Sequence, residues 1–336
     1  MSRSESGVAF GSGSLFQRLI SRPEFGPFVL LVVEIVVFSL LSSTFLSTGN
    51  VSNLLAFTPE LGMIALGMTL LMTAGEFDLS VGSVFGFAPI VMWTLYNAGI
   101  ASLEVGFLIA MLIALAIGFF SGWFVTRLKI PSFLVTLGML LVVRGAALYI
   151  TDGFPQRTWT ADSPLMELLV GDFFIGQFRV YASIIWFILF AVILGYVLTQ
   201  SKAGNWIQAA GGNPSAASAR GVRVSRTKMM LFMLTAFMSA YAGITSSIRV
   251  AAANPNSGTG YELEVIAMVV IGGTALSGGR GTIIGTVIGV FILRMMRNGI
   301  VMVGVPGLAY NIFIGAIILG MMALHSWLER RHHAGT

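Results

Sequence analysis

Two carboxylates one residue apart, Glu76 and Asp78, stand in the stretch Thr73-Ala74-Gly75-Glu76-Phe77-Asp78-Leu79-Ser80-Val81-Gly82-Ser83, between two long apolar runs. A carboxylate placed in lipid costs on the order of 2.5–3.5 kcal/mol on insertion scales, so both must face protein, water or a bundle interior. Three roles suit them. Asp78 with Ser80 can cap the following helix by accepting from its free amides, which is the role the residues favour. Asp78, Ser80 and Ser83 with Glu76 can line a solute path. Glu76, Asp78 or the more isolated Glu34 can hold a proton or sodium ion.

Bond-breaking chemistry finds no matching set. The three histidines, His325, His332 and His333, cluster at one end of the chain, and no cysteine is present. No Gly-x-x-x-x-Gly-Lys-Ser/Thr loop occurs, so ATP is not expected to bind this chain. Gly278-Gly279-Arg280-Gly281 lies between apolar segments rather than between a strand and a helix, and predicts a tight cytoplasmic turn instead of a nucleotide fingerprint.

The elements that must position these residues are membrane helices. Of 336 residues 56% are apolar and 10% charged, which a soluble globule cannot accommodate. At about 20 residues per crossing, the apolar segments predict an all-α polytopic protein with ten spans: 28–46, 57–74, 81–98, 103–125, 133–150, 181–199, 229–248, 263–276, 282–296 and 308–327. The eighth and ninth are short, and Arg294 and Arg297 fall awkwardly at the end of the ninth. The forty glycines, in spacings such as Gly62/Gly67, Gly82/Gly86 and Gly281/Gly285/Gly289, predict close helix packing.

A hydrophilic island, Lys202 to Lys228, fixes orientation. It carries Lys202, Arg220, Arg223, Arg226 and Lys228 and no acidic residue, and such loops stay in the cytoplasm. The expected division is a cytoplasmic N-terminal tail 1–27, a membrane domain 28–327 with a cytoplasmic loop at 200–228 and an outer loop at 151–180, and a cytoplasmic tail 328–336. The net charge of +5 follows from this bias rather than from a nucleic-acid surface. Glu60, Glu104, Glu262 and Glu264 lie near segment ends; Glu34 and Arg144 are deepest, and a pair between them is one option. Trp93, Trp123, Trp159, Trp186 and Trp327 suit an interfacial belt. Asp78-Leu79-Ser80-Val81-Gly82 and Ala275-Leu276-Ser277-Gly278-Gly279 resemble each other, the pattern an internal repeat with broken helices would leave.

In the island, Gly204, Ala209, Gly211-Gly212-Asn213-Pro214, Ala216-Ala217 and Gly221-Val222 are similar to the cytoplasmic coupling loop of ribose-type sugar permeases. These are membrane subunits of bacterial ABC importers, within the branched-chain amino acid and monosaccharide permease superfamily. Gly75 to Val84 resembles the family's Gly-Gly-Ile-Asp-Leu-Ser-Val-Gly-Ser-Val, with Glu76-Phe77 as a departure; Gly260 to Glu264, Gly272 to Thr282 and Asn298-Gly299-Ile300 also agree. Arg220 is a second departure, at a place commonly small or apolar. The resemblance runs from about Phe57 to Leu324.

It implies a permease in a bacterial inner membrane, paired with a second copy or a paralogue and surrounded by lipid. An ABC ATPase would dock on Lys202, Gly204, Ala209, Gly211, Gly212, Asn213, Pro214, Ala217 and Gly221, and a periplasmic binding protein would deliver a small neutral sugar or polyol. ATP and magnesium would sit on the ATPase, with no cofactor, metal or catalysis in this chain. Import of a signalling sugar or branched-chain amino acid, and an ion-driven carrier, are the alternatives.

Overall fold

The computed structural model describes residues 24–159, 163–310, 312, 313, 315, 316, 319 and 320. Each helix begins and ends where the local chemistry requires. Helix α1 (Phe25–Leu41) leads through a short turn to α2 (Thr48–Thr73), whose Ser47 hydroxyl accepts from the Asn50 amide. At 1.5 Å per residue, the 26 residues of α2 rise about 39 Å. Gly75, at φ +82°, stops α2 with a backbone conformation that a side chain disfavours. Next come α3 (Val81–Asn97) and α4 (Leu103–Arg127). Ser102 accepts from the Val105 amide at the start of α4, while Glu104 and Arg127 complement the helix dipole at its two ends. Pro131 precedes α5 (Ser132–Thr151).

The long connection that follows contains α6 (Pro164–Val170) and an antiparallel hairpin, β1 (Asp172–Ile175) with β2 (Phe178–Tyr181). Helix α7 (Ala182–Gln200) then returns to the island, which folds as α8 (Lys202–Gly212) and α9 (Pro214–Ala219). Asn213 separates these two. Its side-chain oxygen accepts from the Ala216 amide, and Pro214 occupies the first turn of α9, where no amide is needed. Helix α10 (Val224–Arg249), α11 (Tyr261–Ile271) and α12 (Ile283–Met302) complete the described core.

Helices α2, α3 and α10 form the centre of the bundle, and residues 58–73 of α2 are all buried. By contrast α1, α4, α5 and α7 turn broad apolar faces outward, with Val33, Leu112, Leu141 and Val192 all exposed. Exposed apolar helix faces around a buried centre are what a bundle solvated by lipid requires. Among the described residues six helices are long and apolar enough to cross a membrane and one small hairpin is present, and the chain is an all-α polytopic membrane protein.

Several expectations need adjustment. The first nine apolar segments each lie on a helix, but the eighth ends at Ile271 rather than Leu276, because Gly272 packs against Gly285 backbone and Gly273 takes φ +95°. The ninth continues to Met302, which moves Arg294 and Arg297 inside it. Most of the tenth segment, Trp327, the three histidines and the terminal tails outside residues 24–320 lie outside the described residues. Trp93 belongs to no interfacial belt: it is fully buried, and its indole donates to the Ser247 hydroxyl at 3.1 Å. Glu34 and Arg144 do not pair. Arg144 instead donates to the carbonyls of Pro255, Ser257 (2.7 Å) and Gly82 (3.1 Å), while both Glu34 oxygens lack a partner among the described residues.

Candidate functional site

Three glycine-bearing segments that are distant in the chain meet at the island end of the bundle. The Gly279 amide donates to the Thr73 carbonyl at the end of α2, at 2.8 Å. A Cβ on Gly278 would lie 2.9 Å from the Gly75 Cα and 3.1 Å from the Gly211 oxygen. A Cβ on Gly211 would collide with the Thr73 carbonyl and stand 2.6 Å from the Gly279 nitrogen, and one on Gly279 would come within 3.0 Å of the Gly212 Cα. Gly281 is held as closely by the Thr73 hydroxyl. Glycine is required at 211, 278 and 279 because backbone packs on backbone there, with no side chain between these contacts of α2, α8 and the turn before α12. The turn closes on itself through the Ala275 amide, which donates to the Arg280 carbonyl at 3.0 Å.

Helix α8 is seated firmly on its inner side. Gly204 abuts the Val197 and Leu198 carbonyls, Gln208 donates to the Leu198 carbonyl at 3.2 Å, and Ile207 and Ala210 are buried. In α9, Ala217 is buried and its carbonyl accepts from the Val222 amide, with Gly221 at φ +84° making the reversal. The other side of this pair is open: Lys202, Trp206, Gly212, Asn213, Pro214, Arg220 and Gly221 are exposed, while Ala209 is half-buried.

From Gly75 the chain climbs along α10. Glu76 meets Lys228 in the first turns of α10, Oε1 to Nζ 2.6 Å. Asp78 comes next, with the Thr235 hydroxyl 3.5 Å from its Oδ2; then the Ser239 hydroxyl donates to the Val81 carbonyl, and Gly243 lies against the Phe85 carbonyl. Asp78 is almost wholly buried, and its Oδ1 accepts from both the Ser80 amide (2.8 Å) and hydroxyl (2.6 Å). The carboxylate therefore fixes the turn just before α3 and bonds no amide deeper in the helix. Ser83 donates to the Leu140 carbonyl at 2.9 Å, tying α3 to α5.

Glu76, Asp78 and Ser80 thus occupy the connection between α2 and α3, and Gly278, Gly279 and Gly281 occupy the connection between α11 and α12, which touches its base together with Gly211 and Gly212. Arg280 points into solvent rather than into this junction. The Lys228 partner of Glu76 and the carbonyl clamp made by Arg144 are not legible as spacings, because each joins residues more than 60 apart. The one available signal is that a lone carboxylate in an apolar setting needs a cation somewhere. Among the described residues no group of three or more His, Asp or Glu converges as a metal site would demand.

The exposed helix pair α8 and α9 thus rests directly on two connections of the bundle, the one that follows α2 and the one that precedes α12. Residues 50–322 match the family model of the branched-chain amino acid transport system permease component. The chain is 35% identical over 302 residues to the ribose import permease protein of Escherichia coli strain K12, covering 88% of this chain and 91% of that one. It is 34% identical over 294 residues to the ribose import permease protein of Bacillus subtilis strain 168, with 88% and 90% covered. The xylose/arabinose import permease protein of Sulfolobus acidocaldarius is 31% identical over 319 residues, with 93% and 87% covered. No solved structure matches. Matched over most of its length by both the family model and these relatives, the chain belongs to the branched-chain amino acid transport system permease family, whose members are transport components of ABC importers and not enzymes.

Proposed function

We propose that this chain is the membrane permease of an importer for a small neutral sugar or polyol, moved when a cytoplasmic ATPase pushes on α8 and α9. The family implies an ATPase and a periplasmic binding protein as partners. The observation that carries the reading is the junction at Thr73, Gly211 and Gly279. Any displacement of α8 must reach the ends of α2 and of the turn before α12, since backbone atoms touch without an intervening side chain to absorb it.

In this reading the island face is cytoplasmic, and Lys202, Gly204, Ala209, Gly211, Gly212, Asn213, Pro214, Ala217 and Gly221 form or support the ATPase seat. The exposed cations of that face orient an acidic partner surface, with Trp206 as an apolar anchor. The hairpin face is periplasmic and receives the binding protein. Two permease copies, or this chain with a paralogue, form the two-fold unit in the bacterial inner membrane, and ATP with magnesium stays on the ATPase. The relatives' names, ribose and xylose/arabinose import permeases, support a sugar as the cargo.

The test is co-purification of the permease in detergent with its ATPase and binding protein, followed by ATPase assays over pentoses, hexoses, polyols and amino acids. Stimulation by one loaded binding protein supports the importer and names its cargo. Flux that follows an imposed ion gradient with no associated ATPase overturns it. Such a carrier would have to free Glu76 from Lys228 or Asp78 from Ser80, or use Glu34.

A further inference from the structure

Between the glycine junction and the hairpin end, α2, α10, α11 and α12 converge on charged side chains that the coupling reading does not use. Glu60 of α2 pairs with Arg249, the last residue of α10, and the Arg249 guanidinium lies 3.9 Å above the Phe57 ring centre. Glu264 of α11 accepts from the Tyr310 hydroxyl at 2.7 Å and faces Arg297 of α12 at 3.9 Å. Arg294, half-buried on α12, stands within electrostatic reach of Glu264, Tyr261 and Arg297, and of Arg249.

A purely structural charge network uses up its donors, and among the described residues this one does not. The Arg249 side chain is 6% exposed, yet its Nε and Nη1 have no partner among the described residues. Leaving such donors unbonded in a desolvated place is unfavourable, and within membrane helices ionisable groups of this kind mark solute pathways. The missing partner must offer oxygen acceptors beside guanidinium groups and tolerate two carboxylates nearby. A hydroxyl-rich neutral molecule does both, since each hydroxyl accepts from a guanidinium and donates to a carboxylate. A phosphate would meet Glu60 and Glu264 as like charges.

We infer that Arg249, Arg294, Glu60 and Glu264 form a contact station for a polyhydroxylated neutral solute, with the Phe57 ring as an apolar neighbour. The inference rests on the permease reading above and assigns its cargo a place inside the bundle.

The test uses the assembled complex of permease, ATPase and binding protein in proteoliposomes, with Arg249→Lys, Arg294→Gln and Glu60→Gln beside the wild type. Turnover is measured for ribose, xylose and arabinose, each on saturating loaded binding protein. Direct contact predicts unequal effects, with the turnover ratio between two sugars shifting by about threefold or more. Uniform scaling across the sugars would make the network structural and overturn the station. If a buried variant fails to assemble, Arg294→Lys, which keeps the positive charge, carries the same comparison. Vesicles with and without phosphatidylglycerol supply a second readout: a wild-type dependence on that lipid which Arg294→Gln abolishes would identify a lipid phosphate as the occupant and overturn the inference. A wild-type complex that moves no sugar overturns the permease reading, and the station with it; a wild type that moves sugars with unchanged ratios in every variant overturns the station alone.

Discussion

The amide of Gly279 donates to the carbonyl of Thr73 at 2.8 Å, so the turn before α12 hangs from the last residue of α2. Gly211 of α8 is pressed against both groups, and this three-way contact leaves no room for a methyl. Gly211→Ala and Gly279→Ala are therefore expected to destabilise the packed junction by about 1–3 kcal/mol through overpacking, with added strain at Gly279, whose φ is +80°. If the junction transmits motion, sugar uptake per ATP hydrolysed falls more than ATP hydrolysis itself. Proteoliposome assays reporting both rates decide it. Unchanged coupling in both variants would remove the junction from the transport cycle.

Glu76 is the charge that departs from the family pattern, and Lys228 answers it at 2.6 Å with both side chains largely shielded. Breaking one side leaves a poorly solvated charge, so Glu76→Lys and Lys228→Glu should each destabilise by about 1–3 kcal/mol and depress uptake. The double exchange restores the pair and should recover most of the loss. A double variant as impaired as the sum of the singles would show that the two positions act independently.

Much of the fold is readable in the sequence. Apolar run length places nine helices, because that signal is local, whereas the island reads as a loop and folds as α8 and α9. The three glycine clusters were each visible as well, yet nothing in their spacing says that Gly75, Gly211 and Gly278 touch. Arg144 shows the same limit. Its depth in an apolar segment called for a partner, and Glu34 was the obvious carboxylate, but three backbone carbonyls contributed by a loop and by α3 satisfied it instead. Carbonyl acceptors leave no trace in side-chain identity. Trp93 misled for a related reason, since a tryptophan near a segment end reads as interfacial until a buried hydroxyl, Ser247, is found for its indole.

Asp78 offers a cleaner separation of structure from transport. Asp78→Ala leaves the buried Ser80 amide and hydroxyl without their acceptor, for an expected loss of about 1–3 kcal/mol and poorer membrane insertion. Asp78→Asn keeps an oxygen in place and should retain most of the stability. Normal stability of the alanine variant with abolished uptake would instead assign the carboxylate to the solute path.

The exposed hairpin responds to pH in a defined direction. Hydrogen bonds from Arg179 hold the Asp172 carboxyl below its ordinary value, at 2.8 Å and 3.0 Å. A carboxyl depressed on folding contributes stability that is fully present above its unfolded value, about 3.9, and is lost as pH falls through the lower folded value. Solvent screening keeps this contribution small. Amide protection factors of residues 172–181, taken relative to the intrinsic exchange rate at each pH, should therefore be constant from neutral pH down to about 4 and fall below it. Arg179→Gln should remove that acid-dependent step.

Arg144 anchors the connection between α10 and α11 to α3, donating to Pro255, Ser257 and Gly82 carbonyls at once. Glu262 contributes a favourable charge nearby, and its carboxylate borders Gly82. A lysine presents a single ammonium on a flexible stem and cannot reproduce the planar fork that spans these acceptors. Arg144→Lys is expected to lose about 1–2 kcal/mol, and Arg144→Gln about 2–4 kcal/mol, since charged hydrogen bonds are the stronger class. The loss should concentrate in one place: exchange of the amides between Asn254 and Glu264 rises in both variants, while that of α8 and α9 stays unchanged. Protection lost uniformly across the bundle would mean that Arg144 supports global stability, and that the loop is held against α3 by Gly258 packing on Gly82 instead.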